Sequence, residues 1–445
     1  MIARSEGTGS LEADAPRQSL AFVYVTTLFF IWGAVTSVND VLIPAVKEIF
    51  TLTDTQGFLT QFAFFMAYFV VSLPAAAIDS RLGSARSIIL ALGIMVVGCL
   101  LMPVATYVRS YSIVLVALFV IASGITLLQV AANPLSAVLG PPEKSHFRLV
   151  LSQAFNSLGT VIAPLLASHT LLQGGLFGDQ TSWWACGLNA VANGTTVSEA
   201  QLVESLHRID VAYLFIAIVI ILLAALLFSA CGKITAAAPA LASNTSSIGA
   251  AFRSKWAMLG AAAIFLYVGA EVSIGSTMVN FLEQPSILGV TAACGGSLVS
   301  LYWGGALIGR FVGSGLLTRI PAGRLLTFVA SVAAVLCLLV TQLTGHPAAM
   351  LAISVGLFNA VMFPVIFTLT LERSTAPAAA TSGLLCMAIV GGALMPLVFG
   401  KVADMTTRST AFFVPMICYL LITIFALVAG RARIARDAEA PVTSH

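Results

Sequence analysis

Charge is what this chain has least of. Only 9% of its 445 residues are charged and 59% are hydrophobic, whereas a soluble domain carries roughly 25% charged residues. That shortage excludes an ordinary soluble protein and places the chain in a lipid bilayer. The net charge of +3 is too small to mark a nucleic-acid partner. No phosphate-binding loop, zinc-ligand spacing or nucleophile elbow occurs, so an enzyme, a cofactor and a metal site are not expected. The seven cysteines are odd in number and scattered, and all but Cys186 fall in or at the ends of apolar segments. They read as small packing residues, not as a disulfide framework. Residues 1–20 have no hydrophobic core, so no cleaved signal peptide is expected and the first span itself must target the chain.

What the chain does have is long apolar runs, at about 21–46, 58–79, 86–108, 111–140, 148–173, 209–231, 256–283, 293–318, 323–344, 347–373, 379–402 and 409–430. Each can cross about 30 Å of hydrocarbon at about 1.5 Å per residue. An even number of spans puts both termini on one side. With the termini inside, about sixteen arginines and lysines fall at the inner face against about five at the outer face. Inner-face excess is the rule for membrane proteins, so the termini are expected in the cytoplasm. Asp79, Arg81, Arg148 and Arg319 are expected to form charge contacts at that face. An Ala/Ser/Thr-rich stretch divides the spans, giving 1–231 as a first bundle, 232–255 as a cytoplasmic linker and 256–445 as a second bundle.

The two bundles repeat one another faintly. Gln129 to Pro134 in span 4 aligns with Asn359 to Pro364 in span 10, and Gly159 and Pro164 of span 5 with Gly391 and Pro396 of span 11. The prolines at 134 and 364 are expected to bend their helices. Parallel repeats of this kind place a solute site between the halves, near mid-membrane.

Two carboxylates lie within apolar segments, Asp40 in span 1 and Glu271 in span 7. A charge at the bilayer centre costs a few kcal/mol or more and is kept for a purpose. Asp40 and Glu271 are therefore the candidates for binding a coupling cation. Glu271 lies about 15 residues into its span, roughly 22 Å along the helix. Only Arg310 lies deep enough to approach either carboxylate, and the sequence does not pair it with them. Gln129, Gln153, Asn156, Asn280 and Asn359, with Asn39 beside Asp40, form a neutral polar set. Amides donate and accept at once, which suits solute hydroxyls; the same amides could equally bond helix to helix. Trp32, Tyr267, Phe363 and Phe30 offer ring faces to a solute's apolar side.

These blocks resemble the fucose and glucose/galactose permease branch of the major facilitator superfamily. The resemblance rests on Phe30-Ile31-Trp32-Gly33, Asn39 to Pro44, Leu128 to Pro134, His146 to Leu149, Gln153 to Gly159 and Tyr267 to Glu271. It implies an all-α integral membrane fold with twelve transmembrane helices in two six-helix pseudo-symmetric bundles, and a bacterial inner-membrane location. The superfamily's loop motif after span 2 is degraded here to Asp79-Ser80-Arg81-Leu82-Gly83. Fucose permeases carry a glutamate where this chain has Gln129. That difference, with Glu271 in span 7, implies a neutral hexose of the glucose/galactose or N-acetylglucosamine type; it also removes one proposed protonation site, so the family's coupling scheme does not carry over whole. The reading is uptake together with a proton by alternating access. The partners implied are the sugar, a coupling cation (H+ or Na+) and the bilayer, with no nucleic acid and a monomeric state. Sodium coupling is the nearest rival reading, and a drug-exporting antiporter a more distant one. The change Asp40→Asn is expected to abolish uphill solute accumulation in proteoliposomes while leaving exchange intact; a variant that still concentrates solute removes Asp40 from coupling.

Overall fold

The computed structural model describes residues 18–37, 54–170, 199–237, 249–432 and 434. Twelve helical spans stand among them. The first half holds α1 Gln18–Ser37, α2 Asp54–Leu82, α3 Ser84–Val108, α4 Tyr111–Val138, α5 Ser145–Thr170 and α6 Glu199–Ala237. The second half holds α7 Lys255–Leu282, α8 Ala292–Leu316 and α9 Ala322–Gln342. In α10 the pieces Gly345–Asn359 and Met362–Arg373 follow one another. In α11, Ala378–Met387 and Gly391–Met405 are joined by a 3-10 turn, and α12 is Phe413–Arg431. Ten of the twelve are long and apolar enough to cross a membrane. The ten do not include α5 and α8, the helices that carry Gln153, Asn156 and Arg310. α6 extends past the expected boundary at 231 to Ala237.

Local signals set several boundaries. Gly83, at φ +77°, turns α2 into α3, and Ser254 caps α7 by accepting from the Ala257 amide at 3.4 Å. Outward faces carry exposed Leu, Ile, Val and Phe, among them Ile218, Leu222 and Phe228 on α6 and Ile424 and Val428 on α12. In water such patches would aggregate; in lipid they are the solvated surface.

α3 packs on α4 and α6 in the first half, and α9 on α12 and α7 on α11 in the second. Two crossings depend on glycine. A methyl on Gly33 or Gly159 would sit 2.1 Å from Asn156 O or 2.2 Å from Phe30 O, so α1 and α5 touch backbone to backbone. In the second half, a methyl on Gly391 would sit 2.1 Å from Phe265 O, bringing α11 equally close to α7. The aligned glycines 159 and 391 thus do the same work in each repeat.

The aligned prolines behave differently. α4 runs unbroken through Pro134, whereas α10 is interrupted before Pro364, at Ala360 and Val361. Each proline leaves the carbonyl four residues earlier without its helical donor. Val130 O accepts instead from Ser382 Oγ of α11 at 2.8 Å, Ala360 O from Arg310 Nε of α8 at 3.1 Å, and Thr160 O, freed by Pro164, from Ser37 Oγ of α1 at 2.7 Å.

The halves meet through α2 with α11, α4 with α11, α5 with α8 and α5 with α10. At the end where α4 joins α5, His146 Nε2 lies 3.2 Å from Glu372 Oε1, Ser145 Oγ donates to Glu372 at 2.9 Å, and His146 Nδ1 meets Thr368 Oγ1 at 2.6 Å. This contact stands where the arginines were expected. Arg148 instead closes the α4–α5 turn by donating to the carbonyls of Ser136, Ala137 and Pro141. Arg319 has no ion pair among the described residues. The cysteine reading also needs correction: Cys99, Cys231, Cys337, Cys386 and Cys418 are free, but Cys294 is disulfide-bonded. A scattered, odd set does not exclude a single bond, because pairing follows distance in the fold.

Gly391→Ala is expected to lower the thermal midpoint of the purified protein by about 1–3 kcal/mol of overpacking or more. Gly400→Ala, where a methyl meets nothing within 4 Å, should be neutral or slightly stabilising. Equal midpoints for the two variants would show that the α7–α11 crossing is loose.

Candidate functional site

A cleft of about 140 Å³ lies between the halves. Trp32, Gln129 and Gln153 line it from α1, α4 and α5; Tyr267, Val268, Glu271, Arg310, Phe363 and Ile389 line it from α7, α8, α10 and α11. Drug-sized ligands need cavities of about 300–1,000 Å³, so the cleft suits a small solute. Its lining combines opposite charges, two amides and three aromatic rings.

Glu271 and Tyr267 are four residues apart on one face of α7, and the Tyr267 hydroxyl donates to Glu271 Oε1 at 2.7 Å. Behind them, Asn359 Nδ2 donates to the Tyr302 hydroxyl at 2.7 Å, which in turn donates to the Glu271 carbonyl at 3.4 Å. In the first half, Gln129 Nε2 donates to the Tyr68 hydroxyl at 2.6 Å. The aligned amides 129 and 359 therefore each hold a tyrosine on the next-but-one earlier helix, α2 or α8. Gln153 Nε2 reaches Asn133 Oδ1 at 3.4 Å.

Arg310 is, from the sequence, the one cation deep enough to approach either carboxylate, but it is not counted among the expected site residues because it lies only about two turns from the end of its span. Its long side chain instead reaches the cleft and crosses the boundary between the halves. Besides Ala360 O, the guanidinium donates to Ser157 Oγ and to Gln153 O at 3.5 Å, both on α5. It lines the same cleft as Glu271 and Tyr267, yet among the described residues it forms no direct ion pair with Glu271. The depth of Glu271 in an apolar run was the signal that could have pointed to a buried cation nearby.

The other sequence candidates divide. Glu271, Gln129, Gln153, Trp32, Tyr267 and Phe363 come together in the cleft. Asn156 lies beside it and donates to Phe29 O at 3.0 Å, fastening α5 to α1. Asn359 is fully buried behind the lining. Asn280 is exposed near the end of α7, its carbonyl accepting from Arg408 at 3.0 Å, and it is not part of the cleft. Phe30 does not line the cleft either. Asp40 and Asn39 lie outside the described residues. Among the described residues no cluster of His, Cys, Asp or Glu could hold a metal ion.

Comparison with known proteins agrees with this architecture. The family model described as Major Facilitator Superfamily matches residues 25–388. The chain is 40% identical over 413 residues to a protein named glucose/galactose transporter from Brucella abortus, covering 93% of this chain and 94% of the relative. It is 30% identical over 412 residues to the L-fucose-proton symporter of Escherichia coli, covering 92% of each. A crystal structure of the Escherichia coli fucose:proton symporter superposes with a TM-score of 0.79 at 27% identity, covering 93% of this chain and all of that one. These relatives are named as transporters, not as enzymes.

Tyr302→Phe removes the hydroxyl that Asn359 Nδ2 donates to and is expected to cost about 1–3 kcal/mol of stability. Asn280→Ala, at an exposed site, should stay within about 0.5 kcal/mol. Thermal unfolding in detergent compares the two; a Tyr302→Phe variant as stable as wild type would mean that the tyrosine chain does not brace Glu271.

Proposed function

Since the chain belongs to the major facilitator superfamily, we propose that it is a secondary active transporter that imports a neutral hexose, of the glucose/galactose or N-acetylglucosamine kind, together with a proton. The observation that carries this reading is the cleft itself. Amides from the first half and a carboxylate, a guanidinium and a tyrosine from the second converge on one small volume, and its polar groups suit hydroxyls that donate and accept. The relatives' names, a glucose/galactose transporter and a fucose-proton symporter, support the solute class and the coupling ion.

The sugar lies between Gln129 and Gln153 on one side and Glu271 and Arg310 on the other, with Trp32 and Phe363 against its apolar faces. Asp40 is the first candidate for the group that carries the proton, and Glu271 the second. Because the solute is held by both halves, its binding changes how firmly they are joined. Arg310's bonds to Ser157 and Gln153 are the grip that must be released or remade as the halves rock. Both termini are cytoplasmic. The His146–Glu372 contact then closes the cytoplasmic side, and the cleft is reached from the outside.

Uptake into proteoliposomes tests this. Under an inward proton gradient, one of glucose, galactose or N-acetylglucosamine is expected to accumulate, with fucose a poor substrate. Glu271→Gln should lower uphill accumulation by at least about tenfold while sugar exchange persists. Accumulation driven by sodium alone would keep the sugar and overturn the proton; no uptake under either gradient would overturn the transport reading.

A further inference from the structure

A second cavity, of about 250 Å³, opens on the outer surface of the second half, away from the sugar cleft. It arises because α8 and α9, although consecutive, scarcely touch: each packs on α10 instead. The gap between them is floored by Leu357 and Val361 of α10 and walled by Val312 and Leu316 on one side and Leu325 and Phe328 on the other. Val312 and Phe328 are 56% and 60% exposed, so the groove is open along its length to whatever surrounds the protein. Gly309 and Gly313 let α8 lie close against that floor, since a methyl on either would strike Leu357 O or Val361 at 2.3 and 2.1 Å.

One lining residue is charged. Arg324, in the first turn of α9, stands at the end of the groove beside the α8–α9 turn, and Arg319 lies in that turn. Among the described residues neither arginine has a carboxylate partner. The excess of basic residues at the inner face explains why arginines lie at this end. It does not explain why one of them lines an apolar crevice between helices. A dry, exposed trough that ends in an unpaired guanidinium complements one class of membrane molecule.

The geometry points to a binding site for an anionic phospholipid, with an acyl chain laid between α8 and α9 and the phosphate on Arg324. Arg319 adds longer-range attraction, and the lipid seals the gap that the two helices leave. Assigning it to the cytoplasmic leaflet rests on the topology proposed above; the site itself needs neither transport nor orientation, so the two readings fail separately.

The test is native mass spectrometry of the detergent-purified full chain, offered equal amounts of phosphatidylglycerol and phosphatidylcholine with the same acyl chains. Wild type is expected to retain phosphatidylglycerol preferentially. Arg324→Gln should lose about fivefold of that affinity, the worth of one arginine beside an anionic headgroup. Arg319→Gln, outside the groove, should lose less. Val312→Trp, which fills the trough, should lose retention of both lipids. Glycerol 3-phosphate, which has the headgroup chemistry without the chain, should not displace bound phosphatidylglycerol. Equal retention of the two lipids by wild type, an unchanged preference in Arg324→Gln, equal losses in both arginine variants, or displacement by glycerol 3-phosphate would each overturn the assignment.

Discussion

Within hydrocarbon there is no water to satisfy a polar group, so each must find its partner inside the protein. That constraint organises this molecule. Prolines in α4, α5 and α10 remove helical donors, and the freed carbonyls of Val130, Thr160 and Ala360 are met by Ser382, Ser37 and Arg310 from other helices. Bonds that a soluble protein would leave to solvent become ties between spans. Arg310 is the extreme case. A guanidinium withdrawn from water needs several acceptors, and it finds them on both halves at once. The group most costly to place in the bilayer is thereby also one that spans the boundary between the halves.

The two halves share a scaffold and differ in chemistry. Gly159 and Gly391 allow matching close crossings, and Gln129 and Asn359 hold matching tyrosines. On that symmetric frame the polar groups are unequal. Both described charges of the cleft, Glu271 and Arg310, come from the second half, and its amides from the first. On the proposed function, a solute between such unlike walls would be held by both, as a rocking mechanism needs. The ends are governed separately. The His146–Glu372 contact joins the halves away from the cleft lining.

Much of this was legible beforehand. Apolar runs marked all twelve spans, although only ten of them are long and apolar enough to cross a membrane by length and composition, and Glu271 announced itself as a carboxylate in an apolar run. The repeat located Gly159, Gly391, Gln129 and Asn359, since equivalent backbone crossings demand the same small or amide residue. Asn280 looked like the other amides, for residue type does not say which way a helix faces. The arginines expected to latch the inner face were replaced by His146 and Glu372, because a latch depends on which side chains of α5 and α10 are in register.

The sequence by itself determined the membrane environment, the number of spans, the twofold repeat and the family, because these follow from composition and from periodic or aligned residues along the chain. Tertiary structure alone decided that Arg310 faces Glu271, that α10 breaks before Pro364 while α4 continues through Pro134, that Cys294 is bonded, and that α8 and α9 part to leave a groove. Each of those depends on what stands opposite a residue in space, and distance along a chain does not record it.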